Sequence, residues 1–83
     1  MQVTVRYRAN LFAITNTESE SINAEKIKNV LLHIKTKYGA GAEKLVKTML
    51  IVVNGHSIHL NKHFNTVLKD NDEVSFLPIC GGG

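Results

Sequence analysis

The sequence predicts an α+β fold, a sheet rolled around one main helix, and three observations predict it. The chain opens on an alternation of Val3, Val5 and Tyr7 against Thr4, Arg6 and Arg8, the period of a half-buried strand. Ile27, Val30, Leu31, Ile34 and Tyr38 then recur at helical spacing, the stripe of a helix whose one face is committed to a core. After that helix the signals are mainly those of strands and turns. A helix that follows a hairpin covers one face of the sheet the hairpin begins, and the later strands complete that sheet.

Taken in order, the elements read as follows. Gln2 to Arg8 is the first strand. Ala9 to Thr15 holds the apolar group Leu11, Phe12 and Ile14, which fits one helical turn or a wide loop. Thr17 to Ile22 is polar and rich in hydroxyl residues, a weak edge strand returning beside the first. Asn23 suits a helix N-cap, where its side chain accepts from an orphan N–H of the first turn. Glu25 would then lie where the helix dipole favours negative charge. Gly39 can take the left-handed conformation that ends a helix.

Gly41 to Lys47 reads as a short connector with a turn of helix around Leu45. Thr48 to Val53 is an apolar run of the kind found in a strand covered on both faces. Asn54-Gly55 supplies the two positive φ angles of a type I′ turn, and His56 to Leu60 is the returning strand. Asn61 to Leu68 is irregular, with Phe64, Val67 and Leu68 as core plugs. Asp70-Asn71-Asp72 is a turn. Glu73 to Pro78 is the last strand, ending at a residue that has no N–H for a ladder. Residues 1–78 therefore form one domain and residues 79–83 a tail, giving a mixed sheet of four to five strands on one main helix.

Composition narrows the function classes. The 83 residues are 43% hydrophobic and 20% charged, ordinary for one soluble domain. The longest apolar run, Met49 to Val53, is far short of the roughly 20 residues that span a bilayer. The first residues alternate instead of forming an export signal's continuous apolar segment. A cytoplasmic location is expected, with no membrane partner, and a lone cysteine, Cys80, agrees with a reducing compartment. The net charge is +3, with Lys26, Lys28, Lys35, Lys37, Lys44 and Lys47 clustered mid-chain. No aromatic stacking platform accompanies them, so they read as a solvated helix face and not as a nucleic-acid site. His56 and His59 would point to opposite faces of a strand. No Cys, Asp or Glu lies between His56 and His63 to complete a tetrahedral metal set. No bound metal or cofactor is expected.

The end of the chain is the distinctive part. Ile79, Cys80, Gly81, Gly82 and Gly83 follow the last strand directly. Glycines bury almost nothing and are costly to order, so a run of them has no packing use. A side-chain-free tail can instead thread a narrow channel in another protein and present the Gly83 carboxylate there. That carboxylate is unreactive until a phosphoryl donor such as ATP activates it. Val74 and Phe76 share one strand face, which leaves Leu77 on the other; an exposed Leu77, with Ile79, would give a partner an apolar contact. Ordering four tail residues costs about 4–8 kcal/mol at about 1–2 kcal/mol each. Some 160–320 Å² of apolar burial would offset that cost, at about 25 cal/mol per Å².

Across essentially its whole length the chain resembles the MoaD-type small subunit of molybdopterin synthase, one of the ubiquitin-like β-grasp sulfur carriers. The resemblance rests on Val3-Thr4-Val5-Arg6-Tyr7-Arg8-Ala9, on Val53-Asn54-Gly55, on Asp72-Glu73-Val74-Ser75-Phe76-Leu77-Pro78 and on the terminal Gly82-Gly83. It implies that an activating enzyme adenylates Gly83 with ATP and that a sulfur donor converts the carboxylate to a thiocarboxylate. It further implies that the carrier docks on the large catalytic subunit of molybdopterin synthase as a co-substrate, not as a free-standing enzyme. Leu77, Ile79, Cys80, Gly81 and Arg8 would meet the partner, Arg8 standing where the family often carries an apolar residue. Carriers for thiazole or tRNA thiolation and ubiquitin-like protein modifiers share the same first step.

Overall fold

The computed structural model describes residues 2–8, 10–58 and 64–78. The elements run β1 (Gln2–Arg6), α1 (Asn10–Thr15), β2 (Ser19–Asn23), α2 (Ile27–Tyr38), α3 (Ala40–Val46), β3 (Leu50–Val53), β4 (His56–Ile58) and β5 (Glu73–Leu77). They build one five-stranded sheet in the order β2-β1-β5-β3-β4. β1 and β5 pair in parallel at its centre, with Arg6 opposite Ser75; the other neighbours are antiparallel. The expected edge strand from the polar segment is β2.

All three helices lie against one face of the sheet. Ile27, Val30, Leu31 and Ile34 of α2 are buried together with Val3, Val5, Ile51, Val74 and Phe76 of the strands and with Tyr7 just past β1, and Leu11, Ala42 and Val46 join this core. Tyr38 packs at its margin. The connector expected at residues 41–47 is the helix α3, which starts directly after Gly39. Gly39 ends α2 with φ 99° and ψ 170°, and its N–H donates to the Lys35 carbonyl at 2.9 Å.

The start of α2 departs from expectation. Asn23 belongs to β2, and Glu25 lies before the helix, so neither caps it. Lys26 is the N-cap, with its N–H donating to Asn29 Oδ1 at 2.9 Å. The first-turn donors find long-range partners: Ile27 N–H bonds the Thr66 carbonyl at 3.1 Å and Lys28 N–H that of Phe64 at 2.8 Å. The irregular segment 64–68 thus does the capping. Of its three expected plugs, Leu68 is buried and Phe64 packs on the core, but Val67 is 67% exposed. Val67 instead makes a backbone bridge to Lys26.

β3 is also not covered on both faces. Ile51 and Val53 face the helices, while Leu50 and Val52 lie half-buried on the face no described helix covers. Val52 therefore shares the sheet with Val5 and Phe76 but not the core. Asn54 (φ 51°) and Gly55 (φ 86°) form the expected positive-φ turn.

Candidate functional site at the tail end of the sheet

Parallel pairing of β1 with β5 fixes where the tail leaves the domain. The register Val5–Val74, Arg6–Ser75, carried two residues further, brings Arg8 to the sheet end where Leu77 lies. Antiparallel β3 begins at that same end, with Leu50 opposite Leu77. On the uncovered face Leu50, Val52 and Leu77 are half-buried, with Ser75 between Val52 and Arg6. Leu77 was expected to be exposed; it is half-buried, because its cross-strand partner Leu50 lies beside it. Leu50 was not among the expected contact residues, because the pairing that joins it to Leu77 spans 27 positions of sequence.

Two clefts open at this end. One, of about 310 Å³, is lined by Asn10, Leu45, Thr48, Met49 and Pro78, the last described residue before the tail. The other, of about 510 Å³, is lined by Arg6, Tyr7, Arg8, Phe12 and Glu18. Arg6 Nε lies 2.9 Å from Glu73 Oε2, so its charge is compensated. Arg8 and the Glu18 carboxylate have no partner among the described residues. Phe12, on α1, is 39% exposed. The opening alternation placed Arg6 and Arg8 on one strand face; it carried no signal for Phe12 and Glu18, which join them only through the fold.

The segment just past β1 that carries Arg8 is held from the helix side. Tyr7 turns its buried ring edge-on to Tyr38, with centroids 5.7 Å apart and planes at 75°. Both hydroxyls donate to Glu20 Oε1, from Tyr7 at 2.7 Å and from Tyr38 at 3.1 Å. His33 Nε2 lies 3.2 Å from the same oxygen, and Lys37 Nζ pairs with Glu20 Oε2. Desolvation raises the Glu20 pKa, but the hydrogen bonds from Lys37, Tyr7, His33 and Tyr38 outweigh it and hold the carboxyl at about 2. Burial and the Glu20 contact push the Tyr7 hydroxyl far above its ordinary value. This cluster is a brace that ties the segment just past β1 to β2 and α2.

The remaining expected site residues, Ile79, Cys80, Gly81, Gly82 and Gly83, lie outside the described residues, as do His59 and His63. Among the described residues no group of His, Cys, Asp or Glu is arranged to hold a metal ion. No described helix is long and apolar enough to cross a membrane.

Comparison with known proteins places this geometry. The sequence matches the profile of the ThiS family over residues 5–83. No curated protein matches it. Among solved structures, it is similar to small archaeal modifier protein 1 from Methanosarcina acetivorans, with 31% identity over 99% of this chain and 96% of that one and a TM-score of 0.81. It is equally similar in sequence, at 31% over 100% of both chains, to a chain in a complex of subunits 1 and 2 of the molybdopterin-converting factor from Helicobacter pylori, with a TM-score of 0.73. Urm1 from Sulfolobus solfataricus is 26% identical over 92% of this chain and 99% of that one, with a TM-score of 0.68.

Proposed function

Because the chain belongs to the ThiS family, within the ubiquitin-like β-grasp sulfur carriers and modifiers, we propose that it carries sulfur on its own C-terminal carboxylate, at Gly83. The observation that carries the reading is the family match running through residue 83, over a domain that leaves one sheet face at the tail end uncovered by any described helix. In the proposed cycle the Gly83 carboxylate attacks the α-phosphorus of ATP in an adenylating enzyme. Pyrophosphate leaves and an acyl adenylate forms. A donor at the oxidation level of hydrosulfide then displaces AMP, leaving a thiocarboxylate. Gly82 and Gly81 let the tail pass through a narrow channel, where a Cβ would restrict φ and add bulk.

Docking falls to the residues at the root of the tail: Leu50, Val52, Leu77 and Arg8 on the described sheet end, with Ile79 and Cys80 beyond it. These apolar groups are only half-buried, and Arg8 has no side-chain partner among the described residues, so both are available to a partner. The acceptor we favour is the pterin precursor of molybdopterin, reached through the large subunit of molybdopterin synthase. The similarity to a molybdopterin-converting-factor subunit supports it. A second reading, conjugation of Gly83 to protein lysines, is favoured by the equal similarity to an archaeal modifier protein.

Intact mass after incubation with the cognate adenylating enzyme, ATP and a sulfide donor tests the proposal. The full chain gains the mass of one sulfur-for-oxygen exchange, localised to its last residue, and deletion of Gly83 abolishes the gain. An equal gain in the deletion variant, or none in the full chain, would sink the reading. Addition of the large synthase subunit and pterin precursor then returns the chain to its original mass if molybdopterin is the product.

A further inference from the structure

The cleft lined by Arg6, Tyr7, Arg8, Phe12 and Glu18 offers an unusual combination. Its apolar surface is Phe12, 39% exposed on α1. Its two charged groups without partners among the described residues are of opposite sign, the Arg8 guanidinium and the Glu18 carboxylate. Arg6 adds no net attraction, because Glu73 compensates it at 2.9 Å. The walls are held in place: the Tyr7 N–H donates to the Glu18 carbonyl at 2.8 Å, the Leu11 N–H donates to the Arg8 carbonyl at 3.1 Å, and the Tyr7 ring is braced by Tyr38 and Glu20. An exposed aromatic ring sharing one cleft with two opposite charges that have no partner among the described residues, on a hydrogen-bonded frame at the tail end of the sheet, has the makings of a specificity pocket.

We infer that this cleft receives a short segment of the protein that handles the tail, one that carries an acidic, an apolar and a basic residue. The inference rests on the carrier reading above and names the chemistry of that reading's partner. The acidic residue meets Arg8, whose planar fork pairs two-pronged with a carboxylate; the basic residue meets Glu18; the apolar side chain covers Phe12. At about 510 Å³ the cleft lies within the usual range of about 300–1,000 Å³ for a binding pocket, room for a few side chains. The Glu18 carboxylate argues against a polyanion: a nucleotide phosphate or a nucleic-acid backbone drawn to Arg8 would meet an uncompensated negative charge in the same cleft. Complementary charge in a fixed arrangement selects a partner more than it strengthens binding, so the cleft decides which adenylating enzyme accepts this chain.

The test is steady-state adenylation by the cognate enzyme, followed by pyrophosphate release, on the full chain and four variants. Arg8→Glu is expected to raise KM by at least tenfold while kcat stays within twofold, since the tail chemistry is untouched. Arg8→Lys, which keeps the charge and loses the fork, raises it about threefold. Glu18→Lys raises KM less than Arg8→Glu. The swap Arg8→Glu with Glu18→Lys restores the net charge of the cleft but reverses its arrangement, and its KM stays at least as high as that of Arg8→Glu. Thermal unfolding of every variant is expected within a few degrees of the parent, both side chains being exposed. A KM for Arg8→Glu within twofold of the parent, or a swap that recovers the parent KM, overturns the inference while leaving the carrier reading standing. Absence of pyrophosphate release from the unaltered chain overturns both. Displacement of the Arg8 and Phe12 amide resonances by AMP alone would make the cleft a nucleotide site and overturn the peptide reading.

Discussion

The two ends of the sheet are built on opposite principles. At the end away from the tail, polar groups are spent on one another. Asn54 sends its amide to Asp72 Oδ1 at 2.8 Å and accepts the Glu73 N–H at 2.8 Å. Asp72 also accepts the Lys69 N–H at 2.8 Å, and Asp70 takes the Gln2 N–H at 2.9 Å. The Thr4 and Asn71 N–H groups close the knot on the Asp72 and Gln2 carbonyls. At the tail end, Arg8 and Glu18 stand without partners among the described residues, and Leu50, Val52 and Leu77 stay half-buried on the face that no described helix covers. One end stabilises the domain; the other leaves its valences open. Polar groups bonded to one another within the domain contribute to folding, whereas exposed charges without a protein partner are solvated and open to a second molecule.

That contrast can be broken or sharpened by substitution. The largest effect belongs to the core between the ends. Leu31→Ala is expected to cost about 2–5 kcal/mol, as truncation of a buried leucine does, in a denaturant titration. A loss under about 0.5 kcal/mol, the range of surface changes, would mean that the α2 stripe does not hold both ends together.

Next comes the knotted end. Asp72→Ala removes an acceptor used by the Lys69 N–H and the Asn54 amide, and is expected to cost roughly 1–3 kcal/mol without changing the KM for adenylation. The backbone N–H of Lys69 is the main cause that holds this carboxyl below its usual range, with Asn54 second. A rise in KM with unchanged stability would reverse the assigned roles of the two ends.

The brace just past β1 gives a pH signature. Despite the opposing effect of burial, its donors lower the Glu20 pKa from 4.5 to about 2. A carboxyl lowered in the folded state contributes stability above its unfolded pKa and loses it as pH falls toward the folded one. Unfolding free energy should therefore decline between about pH 4.5 and about pH 2, and the slope in that window should be shallower in Glu20→Gln. Parallel pH curves for the two proteins would show that the cluster does not brace that segment.

The smallest stability effect is expected at the tail end. Leu77→Thr, on the uncovered face, should cost less than about 1 kcal/mol, a half-exposed site being closer to surface than to core behaviour. It should nonetheless weaken docking to the adenylating enzyme several-fold by titration calorimetry. A loss of stability comparable with that of Leu31→Ala, or unchanged docking, would remove the distinction between the ends.

Much of this architecture was open to a reading of the chain alone, because its signals are local. The period of two in Val3, Val5 and Tyr7 and the helical stripe from Ile27 to Ile34 describe one element each. Asn54-Gly55 carries its turn in its own φ preferences. Alternation set Leu77 on the face opposite Val74 and Phe76, the family resemblance assigned Arg8 to the partner, and the glycine tail was conspicuous for lacking any packing role.

What only the tertiary structure decided are the features that need two distant segments. Asn23 and Glu25 have the chemistry of a helix start, yet the donors of Ile27 and Lys28 found the carbonyls of Thr66 and Phe64 first, since a chain folded back over a helix end satisfies those groups without a side-chain cap. The run Leu50 to Val53 looks buried on both sides because apolar character does not say which face a helix will cover; register sends Ile51 inward and Val52 outward. Leu50 meets Leu77, and Phe12 and Glu18 meet Arg8, for the same reason. Periodicity tells a residue which way it faces within its own element, and only pairing between elements tells it what stands opposite.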